Sequence, residues 1–280
     1  MLLRYLKSLI YNSVAELRII LFFTLHISAQ IRPEGQFETK YNAVSDGYNF
    51  WIYTPDEYKE NKHPLPLIIF LHGASLCGND LNKVRRYGVL DAIDKGKIIP
   101  MFVVAPQNPG GPWSPRKLNN ILEWMKSHYS IDASRVYVLG MSLGGYGTMD
   151  FVGTYPDKIA AGMALCGGTT LKNMSGLGEV PLWIMHGTAD RAISINESKR
   201  VVNYLQANHR DQLLRYDWLQ GGSHGVLARI FYLQKTYDWL ITHSLNDKPK
   251  TIDKDFDITW DDIKSTYQNL KNLPQMYDND

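Results

Sequence analysis

The chain has 280 residues, 44% of them hydrophobic and 21% charged, with a formal net charge of +2. That length suits one large domain with a sizeable core. So small a charge excludes the broad basic surface expected of a nucleic-acid-binding protein. No CxxC, HExxH or GxxxxGK spacing occurs, so zinc-hydrolase and P-loop chemistry find no support and no metal or cofactor is expected.

At the N-terminus, Arg18 precedes the apolar run IILFFTLHI (19–27), and Ser28-Ala29 supply small residues for a cut. This pattern predicts a signal peptide over 1–29 and a secreted or periplasmic protein. A buried or anchoring helix is the competing reading. A nine-residue run is too short for a bilayer, which takes ~20 residues, so no membrane span is expected in the mature chain. Cleavage after Ala29 removes Arg4, Lys7, Arg18 and Glu16 and leaves a formally neutral protein.

From about residue 36, strands alternate with helical stretches. Two period-2 segments flank Asp46-Gly47, a hairpin signal. PLIIFLHG (66–73) and IIPMFVVAPQ (98–107) are continuous apolar runs of the kind buried on both faces. Residues 119–130 carry apolar side chains at helical spacing. RVYVLG (135–140) predicts a strand, followed by a helix starting near Leu143. IAAGMALCGG (159–168), PLWIMHG (181–187) and LLRYDWL (213–219) predict further strands. Helices are expected around 195–208 and over 226–244. The alternation predicts an α/β domain over 30–246, with a mostly parallel sheet and helices on both faces. Residues 247–280 read as a polar linker and a short helix, with Thr259 and Asp262 at a capping-box spacing.

In such sheets ligands bind at the carboxyl ends of the strands. Gly140-Met141-Ser142-Leu143-Gly144 lies at one of them, between an apolar strand and a helix. A sharp strand–turn–helix passage exposes a serine oxygen at a helix N-terminus, and flanking glycines relieve the crowding. Close packing of a glycine-rich helix on the sheet is the bland alternative. A serine nucleophile needs a histidine base and a carboxylate to orient it. Asp190 follows the strand PLWIMHG by three residues, whereas Asp150, Asp157 and Asp211 sit in or beside helices and read as solvated. His224 lies in the glycine-rich loop LQGGSHGVL, while His209 and His243 read as surface residues at helix ends. Ser142, Asp190 and His224 are therefore the candidate triad. The backbone N–H groups of Leu143 and of Ala74, after His72-Gly73, are the candidate oxyanion donors. His72 and His186 are expected to brace their loops. Trp113 is a candidate for the substrate cleft, with ordinary packing as the alternative. Cys166 ends an apolar run and reads as a small hydrophobe, and a single bridge to Cys77 stays open.

PLIIFLHG, VVAPQ, PWSP, RVYVLGMSLGGYGTMDF, CGG, PLWIMHGTAD and SHG together resemble the α/β-hydrolases. More narrowly, they are similar to the lidless serine esterases that include feruloyl-esterase-like, phospholipase/carboxylesterase and predicted-peptidase proteins. The resemblance spans about 36–245. It implies nucleophile Ser142, acid Asp190, base His224 and oxyanion amides Ala74 and Leu143. About a dozen residues separate Gly168 from Pro181, too few for a helical lid domain. The expected activity is hydrolysis of small-molecule or polysaccharide-linked carboxylic esters, including acyl or feruloyl esters of carbohydrates. A serine peptidase or amidase with the same triad, or a catalytically silent binding protein, are the alternatives. Ser75-Leu76-Cys77 and Gly225-Val226-Leu227 depart from the family pattern in loops that would touch substrate.

Overall fold

The computed structural model describes residues 35–268 and 270. The apolar run 19–27 and its cut after Ala29 lie outside the described residues.

Eight strands form one sheet: β1 (Gln36–Lys40), β2 (Asn49–Thr54), β3 (Leu65–Leu71), β4 (Phe102–Gln107), β5 (Ile131–Met141), β6 (Ala161–Leu165), β7 (Leu182–Gly187) and β8 (Leu214–Leu219). Their order is β1-β2-β4-β3-β5-β6-β7-β8. β1 pairs antiparallel with β2, and β2 antiparallel with β4, while β3 to β8 run parallel. Every residue of β3, β4, β6 and β7 is buried, which is why their sequences are unbroken apolar runs.

Seven helices accompany the sheet among the described residues: α1 (Asp56–Asn61), α2 (Val89–Asp94), α3 (Pro115–His128), α4 (Leu143–Thr154), α5 (Ile195–Ala207), α6 (Gln234–Ile241) and α7 (Trp260–Ser265). Leu118 and Ile121 of α3, Met149 of α4 and Val201 of α5 join Leu67, Val138 and Ile184 in the core on one face. Leu90 of α2, Trp239 of α6 and Ile263 of α7 join Phe70, Tyr137 and Trp183 on the other. α3 starts where Ser114 accepts a bond from the Lys117 N–H and Pro115 fills the first helical position.

Two parts of the C-terminal region differ from expectation. The helix expected over 226–244 is broken at Leu233 into a 3₁₀ segment, Gly225–Tyr232, and α6. There the Thr236 hydroxyl donates to the Ile230 carbonyl at 2.6 Å and the Tyr237 hydroxyl to Phe231, taking acceptors that a continuous helix would use. The polar stretch after residue 246 is not a free tether. Ile252, Phe256 and Ile258 pack against the core, and the Lys254 carbonyl accepts from Arg215 at 2.7 Å. The capping box Thr259–Asp262 does start α7. Between β6 and β7 there is only a 3₁₀ turn, Ser175–Glu179, and no inserted lid.

Candidate active site

Ser142 caps α4 with φ 60° and ψ −120°, a left-handed conformation that a non-glycine residue adopts only under constraint. The constraint is the passage from β5 to α4 across the end of β3. A Cβ on Gly144 would stand 1.8 Å from the Leu71 carbonyl oxygen, and one on Gly140 2.5 Å from the Gly144 carbonyl. Glycine at both positions lets the turn close. Ser142 is half-buried, and its N–H donates to Leu165 at 2.8 Å, fixing it beside the end of β6.

The loop after β3 passes next to the serine: a Cβ on Gly73 would lie 3.5 Å from Ser142 Cβ. His72 braces this loop. Its Nδ1–H donates to the Gly73 carbonyl at 2.7 Å, and its Nε2 accepts from the Asn108 N–H at 3.0 Å. Burial pushes its pKa down to about 4, with the Gly73 bond acting the other way, so the ring is neutral. Tyr87 adds a second brace by accepting the Gly73 N–H at 2.8 Å. Ala74 is exposed and opens a 3₁₀ turn, and Leu143 opens α4. The first N–H groups of such turns have no acceptor within the helix.

Trp113 shows the packing that was the alternative to a place in the cleft. It is buried, edge-on to Tyr48 and His72 at 5.2 and 5.0 Å, and its ring fills the space left by Gly147. The indole is a wedge that supports the His72 loop from beneath.

Asp190 and His224 come together. Asp190 Oδ1 accepts the N–H groups of Ala192 and Ile193 at 2.8 and 2.9 Å, and Oδ2 accepts His224 Nδ1–H at 2.7 Å. The carboxylate is fully shielded, while the imidazole is 26% exposed. Burial alone would raise the Asp190 pKa, but the bonds from Ile193, His224 and Ala192 outweigh it and hold the group ionised. The two loops are stitched together as well. Ala189 N–H donates to the Gly222 carbonyl at 3.0 Å, and Gly221 N–H to the Thr188 hydroxyl at 2.8 Å.

No hydrogen bond joins Ser142 to His224 among the described residues. Each approaches the end of β6: the Ser142 N–H bonds to Leu165, and the Cys166 thiol that follows lies 4.0 Å from the His224 carbonyl. Bonds between a nucleophile and its base are often loose before substrate binds. Cys166 and Cys77 are both free, and Cys166 is buried. Burial and the Asp190 charge push the Cys166 thiol well above its ordinary pKa.

Two residues depart from their expected exposure. His243 is buried with its ring against Trp239, because the chain turns inward after α6. Asp150 is buried too, accepting from Thr170 N–H at 2.8 Å and from the hydroxyls of Thr169 and Thr170. Sequence reasoning also missed how closely Cys166 and His186 approach the acid. Ligating atoms of Cys166, His186 and Asp190 lie within 4.8 Å of one another. His186 Nε2 faces the Ile193 carbonyl and so carries a proton rather than a lone pair, which suits hydrogen bonding to Asp190 better than metal ligation. The available signal was position: both residues sit at the ends of buried parallel strands.

No family model matches the chain. It is 30% identical over 175 residues to a bifunctional acetylxylan esterase/xylanase of Neocallimastix patriciarum, covering 59% of this chain and 24% of that protein. It is 26% identical over 209 residues to feruloyl esterase D of Neurospora crassa, covering 69% of this chain and 70% of that one. The chain thus spans about a quarter of the first relative and most of the second. Among solved structures, a thermostable esterase superposes with a TM-score of 0.61 at 24% identity, over 75% of this chain and 63% of that one. With this strand order and this structural neighbour, the chain has the α/β-hydrolase fold, and its sequence is similar to those of acetylxylan and feruloyl esterases.

Proposed function

We propose that the chain is a serine carboxylic-ester hydrolase in which Ser142 is the nucleophile, His224 the base and Asp190 the orienting acid. The observation that carries this reading is the 2.7 Å bond from His224 Nδ1–H to Asp190, on loops that follow parallel strands of the same sheet as the Ser142 elbow. A proton on Nδ1 leaves Nε2 with a lone pair, the form that can take the Ser142 proton. Ser142 Oγ then attacks the ester carbonyl, and the Ala74 and Leu143 N–H groups stabilise the oxyanion. His224 returns the proton to the leaving alcohol, and water releases the acid by the reverse route.

The relatives named above are an acetylxylan esterase/xylanase and a feruloyl esterase, and among the described residues no lid is inserted between β6 and β7. Both support acyl or feruloyl groups on carbohydrates as the substrate class. The apolar segment before Ala29 supports export, which places such a substrate within reach.

The test is hydrolysis of nitrophenyl acetate, methyl ferulate and acetylated xylan by the full chain and by Ser142→Ala. Turnover of one of these esters, with a loss of ~10³-fold or more in the variant, is expected. Activity that survives the substitution overturns Ser142 as nucleophile. Cleavage of peptide amides without any ester turnover overturns the esterase reading.

A further inference from the structure

His224 is only one of several groups gathered on the Asp190 carboxylate, and the buried Cys166 thiol is another. The Ala192 and Ile193 N–H groups hold Oδ1, while Oδ2 lies 2.7 Å from His224 Nδ1 and 3.2 Å from His186 Nε2. Two imidazoles therefore share one oxygen. His224 rides on a glycine-rich loop, whereas His186 is the penultimate residue of β7 and has no exposed surface.

The protons on His186 can be assigned by counting acceptors. A carbonyl only accepts, so the 3.0 Å contact from Nε2 to Ile193 requires an Nε2–H, and that N–H also faces Asp190 Oδ2. Burial lowers the His186 pKa and keeps the ring neutral, although Ile193 and Asp190 favour the proton. Nδ1 is then an acceptor, 2.8 Å from the Ser198 hydroxyl. Ser198 is itself buried on α5 and donates to the Gly167 carbonyl at 2.6 Å. Its single proton is shared between the two. A continuous buried chain runs from the loop after β6 through Ser198 and His186 to Asp190.

We propose that His186 is a positioning residue of the Asp190–His224 pair, holding Asp190 Oδ2 in line with the His224 ring through this buried chain. The backbone N–H groups fix only Oδ1, and a carboxylate held at one oxygen can still turn about its terminal bond. A second donor at Oδ2, anchored in a central strand, removes that freedom while His224 moves with its loop. The turnover part of the test below rests on the ester-hydrolase reading.

Three variants test the assignment. His186→Gln returns an amide N–H to the Nε2 region, His186→Phe fills the space without a donor, and Ser198→Ala removes the far anchor. Nitrophenyl acetate kinetics are read beside the far-downfield proton resonance of the His224–Asp190 bond. The expected result for His186→Phe is a 10–100-fold fall in kcat, the range typical of outer partners of a functional group, with KM changed by less than ~3-fold and the resonance shifted or lost. His186→Gln is expected to recover kcat to within ~5-fold and to restore the resonance. Ser198→Ala is expected to lower kcat by ~3–10-fold, and it decides the matter if His186→Phe fails to fold. Wild-type kcat and an unmoved resonance in Ser198→Ala and either folded His186 variant overturn the proposal. So does equal impairment of Phe and Gln with a matching loss of thermal stability, which marks a structural role alone. If the wild-type chain turns over no ester, the function proposed above falls, and the resonance arm still decides the role of His186.

Discussion

Gly187 and Gly222 stand so close that a Cβ on Gly187 would lie 2.1 Å from the Gly222 carbonyl oxygen. Gly187 ends the strand that leads to Asp190, and Gly222 begins the loop that carries His224. The absence of two side chains brings Asp190 and His224 within reach of each other. Gly187→Ala must push the loops apart, because the obstructing atom is backbone. A displacement near 1 Å at a reacting group costs about 10² in rate. We expect kcat on nitrophenyl acetate to fall by about that factor, with folding retained by circular dichroism. Unchanged turnover would mean the loops can part without moving the pair.

Trp113 packs against the loop after β3 through His72. Its ring is wedged among Tyr48, His72 and the bare backbone of Gly147. Trp113→Ala opens a large cavity there and should cost about 3–5 kcal/mol, the usual range for deleting a buried aromatic. Trp113→Phe should recover more than half of that loss. Since the indole is buried, KM for a small ester should be unchanged in the Phe variant. Urea unfolding and steady-state kinetics check the two halves separately.

The strands were legible because a sheet covered on both faces demands unbroken apolar runs, and β3, β4, β6 and β7 have them. Asp190 and His224 were legible for a related reason: parallel strands aim their following residues at one edge. Exposure in the helices was harder to read. α4 is buried almost all round and shows no polar face, so Asp150 gave no local sign that Thr169 and Thr170 cover it. The break at Leu233 was hidden likewise, because apolar residues run through it and the competing hydrogen bonds come from Thr236 and Tyr237. Trp113 follows a Gly-Gly turn and reads as a loop residue. Only the space over Gly147, thirty-four positions away, explains its burial.

Asp150 ties α4 to the loop after β6, within two turns of Ser142 on the same helix. It is the acceptor for two hydroxyls and one backbone N–H. Asp150→Leu would strand the buried Thr169 hydroxyl and should cost about 1–3 kcal/mol. Asp150→Asn keeps an oxygen in place, and the hydroxyls can turn to meet its amide, so a loss under about 1 kcal/mol is expected. Denaturant midpoints compare the two. Equal losses would show that charge rather than acceptor geometry holds the loop.

His243 makes stability depend on pH. Its ring is buried against Trp239, its Nε2 has no hydrogen-bond partner, and burial pushes its pKa down to about 4. In the unfolded chain a histidine takes up its proton near pH 6.5. Between about 6.5 and 4 the unfolded state therefore holds a proton that the native state refuses, and stability falls as pH falls across that window. His72, also held to about 4 by burial, and His186, lowered by burial as well, add to the same slope. The low pKa of Asp190 has its effect only below the ordinary carboxylate value, beneath this window. His243→Phe keeps the flat ring, removes the orphaned nitrogen and removes one of the three titrations. The Tyr137 hydroxyl bonds to the backbone carbonyl of residue 243, so that contact survives. We expect a gain of about 1 kcal/mol at neutral pH, and a shallower decline towards about pH 4.5 than in the wild type. Urea midpoints at the two pH values decide it. Parallel declines in both proteins would show that the ring titrates alike in the folded and unfolded states.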